Sequence, residues 1–436
     1  MGLNHTAATY TETMVTIVVI FFSMRVCSQT PEIERIALPE GFTISLYASG
    51  IPDARSLSRG PRGVIIVGTR TDGKVWAIAD TNGDNVADRK VVIADGLTNP
   101  NGVAFHGNDL FVAERSRILR YSNVEDHIGN PIQPAVIRDD LPTDDTHGWK
   151  YIGFGPDGYL YVPIGAPCNV CLETDNRYAS ITRMKADGSD FSVYAEGIRN
   201  SVGFDWHPQT NALWFTDNGR DNMGDDIPSD ELNSAPEAGM HFGFPFCHEG
   251  SVADPTYGNL RSCDEFNPPV VKLGAHVAAL GMKFYTGRMF PTEYRNRIFI
   301  AEHGSWNRSK KVGYRIVTVD PSADPPSTSV FAQGWLQNET AWGRPVDVLV
   351  MPDGALLVSD DYAGAVYRIE YTPAVKVGSV FRDRSYPGRR LRNYHAARER
   401  SGNMVDIAGK QPSGGGVTPA CRINRGTGEK VLLLTR

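Results

Sequence analysis

GPDGYLYVPIG, residues 155–165, is a turn followed by a run of β-branched and aromatic residues, and the chain carries five further versions of it. They are RGPRGVIIVGT (59–69), FHGNDLFVAER (105–115), HPQTNALWFTDNG (207–219), YRNRIFIAEHG (294–304) and MPDGALLVSDD (351–361). Gly, Pro, Asn and Asp favour the turn, while Val, Ile, Tyr and Phe suit a pleated, half-buried strand. Most versions lead after a short gap into a second strand-like run: KVWAIAD (74–80), RILRYSN (117–123), SITRMKADG (180–188), YRIVTVD (314–320) and AVYRIEY (365–371). In the fourth unit DELN (230–233) takes that place. A unit of this kind cannot bury both faces of its sheet alone, and radial packing of neighbours solves the problem. Six units predict an all-β, six-bladed β-propeller, with FTISLYASG (42–50) closing the ring.

Composition agrees. The chain has 436 residues, 41% hydrophobic, enough for a large core, and its 44 Gly and 28 Pro suit a turn-rich β protein. Residues 376–436 hold 13 Lys/Arg against 4 Asp/Glu; the whole chain is −6, so this tail of net +9 leaves −15 for residues 1–375. An acidic folded part argues against a nucleic-acid surface, which needs clustered positive charge. The basic stretch 373–436 reads as a solvated, disordered extension. MVTIVVIFFSMRVCSQ (14–29) has an apolar run too short for a comfortable membrane span; residues 1–28 read as a secretory signal, with an uncleaved anchor as the alternative.

Cysteine usage supports export to an extracellular or periplasmic space. Cys168 and Cys171 form a CNVC pair and Cys247 and Cys263 flank a Gly/Pro-rich stretch. CxxC is also a zinc half-site, but without knuckle context two disulfides, 168–171 and 247–263, are the expectation. DTNGDNVAD (80–88) has calcium-loop spacing without the twelfth-position Glu, and is expected to be an Asx-rich turn.

Polar residues recur beside the repeats: His147 before the third, Arg199-Asn200 before the fourth, Asn218-Gly219-Arg220 after the fourth strand, His303-Gly304 after the fifth and Arg344 before the sixth. Propeller loops bring such positions to one channel. A His with several Arg and Asn there suits a base beside an anionic ligand, because guanidinium forks bind carboxylates bidentately.

HGWKYIGFGPDGYLYVPIG, then GIRNSVGFDW, then DNGRDNMGDDIPSDELN followed by HFGFPF resemble the glucose/sorbosone dehydrogenase family, six-bladed quinoproteins that use pyrroloquinoline quinone (PQQ). HGSWNR and GRPVDVLVMPDG resemble its sorbosone and pyranose dehydrogenase branch, and the resemblance spans residues 35–372. It implies PQQ and calcium as cofactors, a sugar substrate, and an external electron acceptor such as a cytochrome, haem domain or quinone. His147 matches the general base, with Asp144 or Asp145 as a candidate orienting group. Arg199 matches the cation beside the reacting carbonyl, and Asn200 its companion in the cofactor pocket. Asn218 stands where the family has glutamine. Gly219 and Arg220 match the pair whose backbone carbonyls hold calcium, with Arg220 replacing a proline and adding a cation. Arg344 matches one of two carboxylate-binding arginines, the second position being Val346. The family's lysine lacks a clean counterpart, and Arg308 is the candidate cation, with Lys310 or Lys311 as alternatives. Two other readings are a non-catalytic propeller binding a glycan or protein, and a calcium-dependent lactonase-type hydrolase.

Overall fold

A computed structural model describes residues 31–130, 132–373, 420–423 and 430–433. The expected signal segment and most of the tail lie outside these residues. The chain divides into two units, Met1–Ala374 and Val375–Arg436; in the second, the described residues form one antiparallel pair, Ala420–Ile423 with Lys430–Leu433.

The first unit is the six-bladed β-propeller. Blades 1, 2 and 5 are consecutive four-stranded antiparallel sheets over Ala54–Ala94, Gly102–Arg138 and Ala279–Gln333. Blade 3 (Gly153–Glu196) gains a parallel fifth strand, Met240–His241. Blade 4 (Phe204–Ala235) takes its outer strand, Val271–Ala275, from beyond a long excursion. Blade 6 (Pro345–Tyr371) is completed by Phe42–Ser49, which runs antiparallel to Ala365–Tyr371 with Phe42 opposite Tyr371. The predicted closing segment therefore does close the ring, and DELN lies in the third strand of blade 4, Ser229–Ala235.

Period-2 alternation explains the packing. Ile65 and Val67 face blade 6 while Ile66, between them, faces blade 2; Leu356 and Val358 face blade 5 while Leu357 faces blade 1. Each pair of neighbouring blades shares one apolar cluster, so six clusters form a ring of cores. Each fully buried large aliphatic or aromatic side chain there contributes about 1.5–3 kcal/mol. Close to the axis the blades leave no room for side chains: a Cβ on Gly203 would lie 2.1 Å from the Leu280 carbonyl oxygen, and one on Gly281 2.1 Å from Asp347 Oδ1.

Both expected disulfides are formed, Cys168–Cys171 and Cys247–Cys263. The second staples the excursion, where Phe246, Cys247 and Phe266 make a small satellite core. In 80–88 the side-chain oxygens serve the loop's own backbone: Asp80 accepts from the N–H groups of Asn82, Gly83 and Asn85, Asn82 from Asp84, and Asp84 from Val86. It is the Asx-rich turn expected. Among the described residues no helix is long and apolar enough to cross a membrane.

Candidate active site

Loops leading into the first strands of blades 1, 3, 4, 5 and 6, and out of the second strands of blades 1, 4, 5 and 6, surround a cavity of about 430 Å³ at the mouth of the channel. Its lining includes His147, Arg199, Asn200, Asn218, Gly219 and Arg344, gathered from nearly 200 residues of chain. Trp306 and Tyr362 also line it and are 73% and 57% exposed, so they form its rim.

His147 adopts φ = 50°, a left-handed conformation uncommon for a residue with a Cβ, and it is held there by its surroundings. Its Nδ1 lies 2.7 Å from the Ala166 carbonyl oxygen. A carbonyl only accepts, so Nδ1 carries the proton and Nε2 is left with a free lone pair. Burial, then the nearby Arg199 charge, pushes the imidazole pKa down to about 4, so the ring is neutral at pH 7. The orienting group is thus a backbone carbonyl rather than either expected carboxylate. Asp144 accepts from the Tyr178 hydroxyl and Asp145 pairs with Arg115. Lys150 fixes the same loop by donating to the Gly148 carbonyl at 2.7 Å.

Ala166 also joins base to cation, since its N–H donates to the Arg199 carbonyl at 2.8 Å. The Arg199 guanidinium is buried and donates to Asn169 (O and Oδ1), the Asn218 carbonyl and Asp221 Oδ2. Four of its five N–H groups are thereby engaged, leaving one on Nη1. Asn169 lies within the Cys168–Cys171 loop, so this disulfide frames the site, a connection the sequence reading missed.

Acids at or just past the ends of second strands hold the functional loops from behind. Asp217, 6% exposed, accepts from the backbone N–H groups of Arg199 and Asn200 at 2.9 and 2.7 Å. Asp360 does so for Arg344 at 2.9 Å and Glu114 for Thr98 at 2.6 Å. Blade 1 has Thr69 in this place and blade 3 has Gly165, where a Cβ would lie 2.5 Å from His147 Cβ and 3.2 Å from Asn200 Oδ1.

Several groups are arranged for a ligand. The Asn200 side chain is nine-tenths buried and lines the cavity, yet forms no hydrogen bond among the described residues. The backbone carbonyls of Gly219 and Arg220 accept no described hydrogen bond either. Arg344 spends Nε and Nη2 on the carbonyls of His303 and Gly304, leaving Nη1. Asn218 is less available, because its Nδ2 donates to the Asn200 and Ala279 carbonyls. The cation added by Arg220 is turned aside and neutralised: its guanidinium pairs with buried Asp254, which also meets His248 Nε2 at 2.9 Å.

Arg308 requires correction. It is not among the cavity-lining residues; it donates to the Asp225 carbonyl, pairs with Asp226 at 3.0 Å, and lines a separate groove of about 740 Å³ between blades 4 and 5. Lys311 lines that groove too, donating to the Glu339 carbonyl. The loop following His303 thus brings Trp306 to the cavity and Arg308 to this groove. The cations that do line the cavity and were missed are Arg55 and Arg70, both from blade 1. Arg55 sits within the first strand, in ARSLSR, where strand alternation gave it no distinguishing mark; Arg70 directly follows GVIIVGT, the position occupied by Asn218 and His303 in other repeats and the one signal available.

The sequence matches the TrAA12-like family over residues 36–372. A Borreliella burgdorferi protein is 34% identical over 353 residues, covering 77% of this chain and 91% of its own length. Among solved structures, the holo form of the PQQ domain of pyranose dehydrogenase from Coprinopsis cinerea superposes with a TM-score of 0.67 at 18% identity, covering 77% of this chain and 97% of that one. The calcium structure of a Trichoderma reesei carbohydrate-active enzyme of family AA12 gives 0.65 at 20% identity, with 77% and 97% covered.

Proposed function

The chain belongs to the TrAA12-like family, and from that premise we propose that it is a PQQ-dependent, calcium-assisted dehydrogenase that oxidises the anomeric hydroxyl or hydrated aldehyde carbon of a sugar. The observation that carries this reading is His147, a neutral imidazole with Nε2 free, tied through Ala166 to Arg199 in one cavity. The related Coprinopsis and Trichoderma structures, named for a PQQ domain and for calcium, supply its cofactor terms.

The residues present fit such a group. Unpartnered carbonyls at Gly219 and Arg220 suit a hard cation. Arg344 Nη1 and the Asn200 carboxamide suit the carboxylate and ring polar atoms of a planar quinone. The cavity lies within the usual range for a small-molecule site. When bound, PQQ supplies the hydride-accepting chemistry and calcium polarises it. His147 Nε2 would take the proton from the sugar hydroxyl, and Arg199, with one Nη1 hydrogen uncommitted, would supply positive charge for the oxyanion that develops. The exposed faces of Trp306 and Tyr362 form an apolar wall for the C–H face of a sugar ring at the mouth. Electrons then pass to an external acceptor, and the two disulfides support an oxidising, exported location. The lactonase alternative needs side-chain ligands converging on a metal, and among the described residues no three His, Cys, Asp or Glu side chains do so.

The test is titration of cofactor-free protein with PQQ and calcium, followed by absorbance, then a panel of aldoses and sorbosone. Saturable uptake and sugar-dependent bleaching are expected. Well-folded protein that takes up no quinone would leave the non-catalytic propeller.

A further inference from the structure

Resting on that dehydrogenase reading and naming its substrate class, we propose that Arg70 with Trp149 forms a carboxylate-recognition subsite, so that the preferred substrate is a sugar acid of the uronate type rather than a neutral aldose.

Four arginines line the cavity, and three have acceptors in the protein. Arg55 donates to Asn101 Oδ1 at 2.6 Å and Asp361 Oδ2 at 2.7 Å; Arg199 and Arg344 are bonded as described above. Among the described residues the Arg70 guanidinium donates to nothing and pairs with nothing. The acids near it are committed elsewhere: Asp53 Oδ2 accepts from the backbone N–H groups of Arg70, Thr71 and Asp72, and Asp361 serves Arg55 and, at 2.8 Å, His303 Nε2. Arg70 is nevertheless held in place. Its backbone is fixed by Asp53, and its Cζ sits 4.9 Å from the centroid of the Trp149 ring. A half-buried guanidinium, ordered by stacking but without an acceptor, is prepared for a planar anion that takes two parallel N–H bonds.

Position decides which anion. In a six-membered ring blade 1 is opposite blade 4, so Arg70 faces the cavity across from the Gly219 and Arg220 carbonyls and the Arg199 loop. It lies instead on the side of the base: Trp149, which it covers, has its ring centroid 6.3 Å from that of His147. The guanidinium is therefore within the sum of those two distances of the imidazole. Within that upper limit, one pyranose ring can be hydrogen-bonded to His147 through its anomeric hydroxyl and to Arg70 through a carboxylate on C5.

The experiment compares glucuronate and galacturonate with glucose and galactose as substrates of the PQQ- and calcium-loaded protein, in wild type, Arg70→Gln and Arg70→Lys. The wild type should favour uronates in kcat/KM, and Arg70→Gln should lower the uronate-to-aldose ratio by about 10- to 100-fold, mainly through KM, as expected for loss of charged hydrogen bonds. Arg70→Lys, which keeps the charge without the fork, should fall between. Quinone titration of each variant accompanies the kinetics. A wild type that prefers neutral aldoses, or an Arg70→Gln variant that loses quinone affinity while keeping its uronate ratio, overturns the proposal; in the latter case Arg70 holds a cofactor carboxylate. Calorimetric titration of cofactor-free protein with glucuronate and with glucose separates the two readings. Glucuronate heat lost in Arg70→Gln supports the subsite even if no quinone binds, whereas equal heats with glucuronate and glucose refute it.

Discussion

His147→Gln should flatten the pH dependence of stability and abolish turnover together. In the folded protein the imidazole pKa is about 4, against 6.5 for an ordinary histidine, and the causes are burial first and Arg199 second. That drop corresponds to at most about 3 kcal/mol of preference for the neutral ring. Between the two values the unfolded chain binds the proton and the folded chain does not, so this contribution is complete above pH 6.5, shrinks as pH falls toward 4, and is gone below. Glutamine can still donate to the Ala166 carbonyl but cannot titrate. Urea unfolding of both proteins at pH 7 and pH 4 should show the wild type losing up to about 3 kcal/mol more than the variant, with other histidines cancelling in the double difference. In the kinetic arm, wild-type kcat/KM for sugar-dependent dye reduction should hold down to pH 5, where about nine-tenths of a pKa 4 ring is neutral against about 3% of a pKa 6.5 ring. An acid limb centred near 6.5, or equal pH slopes of stability in the two proteins, would refute the buried neutral base; full turnover by His147→Gln would remove the base altogether.

Asp217→Asn should cost about 1–3 kcal/mol in thermal or urea unfolding, because the Arg199 and Asn200 N–H groups each use one oxygen of this buried carboxyl and the amide leaves only one acceptor, and it should also weaken quinone uptake. Unchanged uptake would show that the clamp does not position these side chains. Gly165→Ala drives a methyl group against His147 and Asn200 and should cut turnover well before it lowers the melting temperature; normal kinetics would argue that this loop adjusts freely. Replacing Cys168 and Cys171 by serine should lower turnover more than stability, since the small loop they close carries Asn169, which holds Arg199. A variant with wild-type kcat would show that Asn169 keeps its place without the disulfide.

How much was legible follows from range. Turn chemistry and period-2 alternation act between adjacent residues, so six repeats, the closing Phe42–Ser49 strand and the alternation of Ile65, Ile66 and Val67 between two cores could be read from the chain directly. Repetition also exposed His147, Arg199, Asn218 and Arg344, because each stands at a corresponding place beside a strand. The acids at strand ends, Asp217 and Asp360, were not singled out in the sequence, because their role as acceptors for the loops of Arg199 and Arg344 exists only once the strands are paired. What tertiary structure decided was who meets whom. Arg308 and Arg70 are both basic residues in loops after a second strand; the path of one loop takes Arg308 to a separate groove, while the other leaves Arg70 over Trp149. The neutrality of His147, the carbonyl that orients it and the use of Asn169 to hold Arg199 depend on burial and on contacts made only when the ring is closed. The repeats determined a propeller by local rules; its chemistry was set by convergence at the axis, where spacing along the chain carries no distance information.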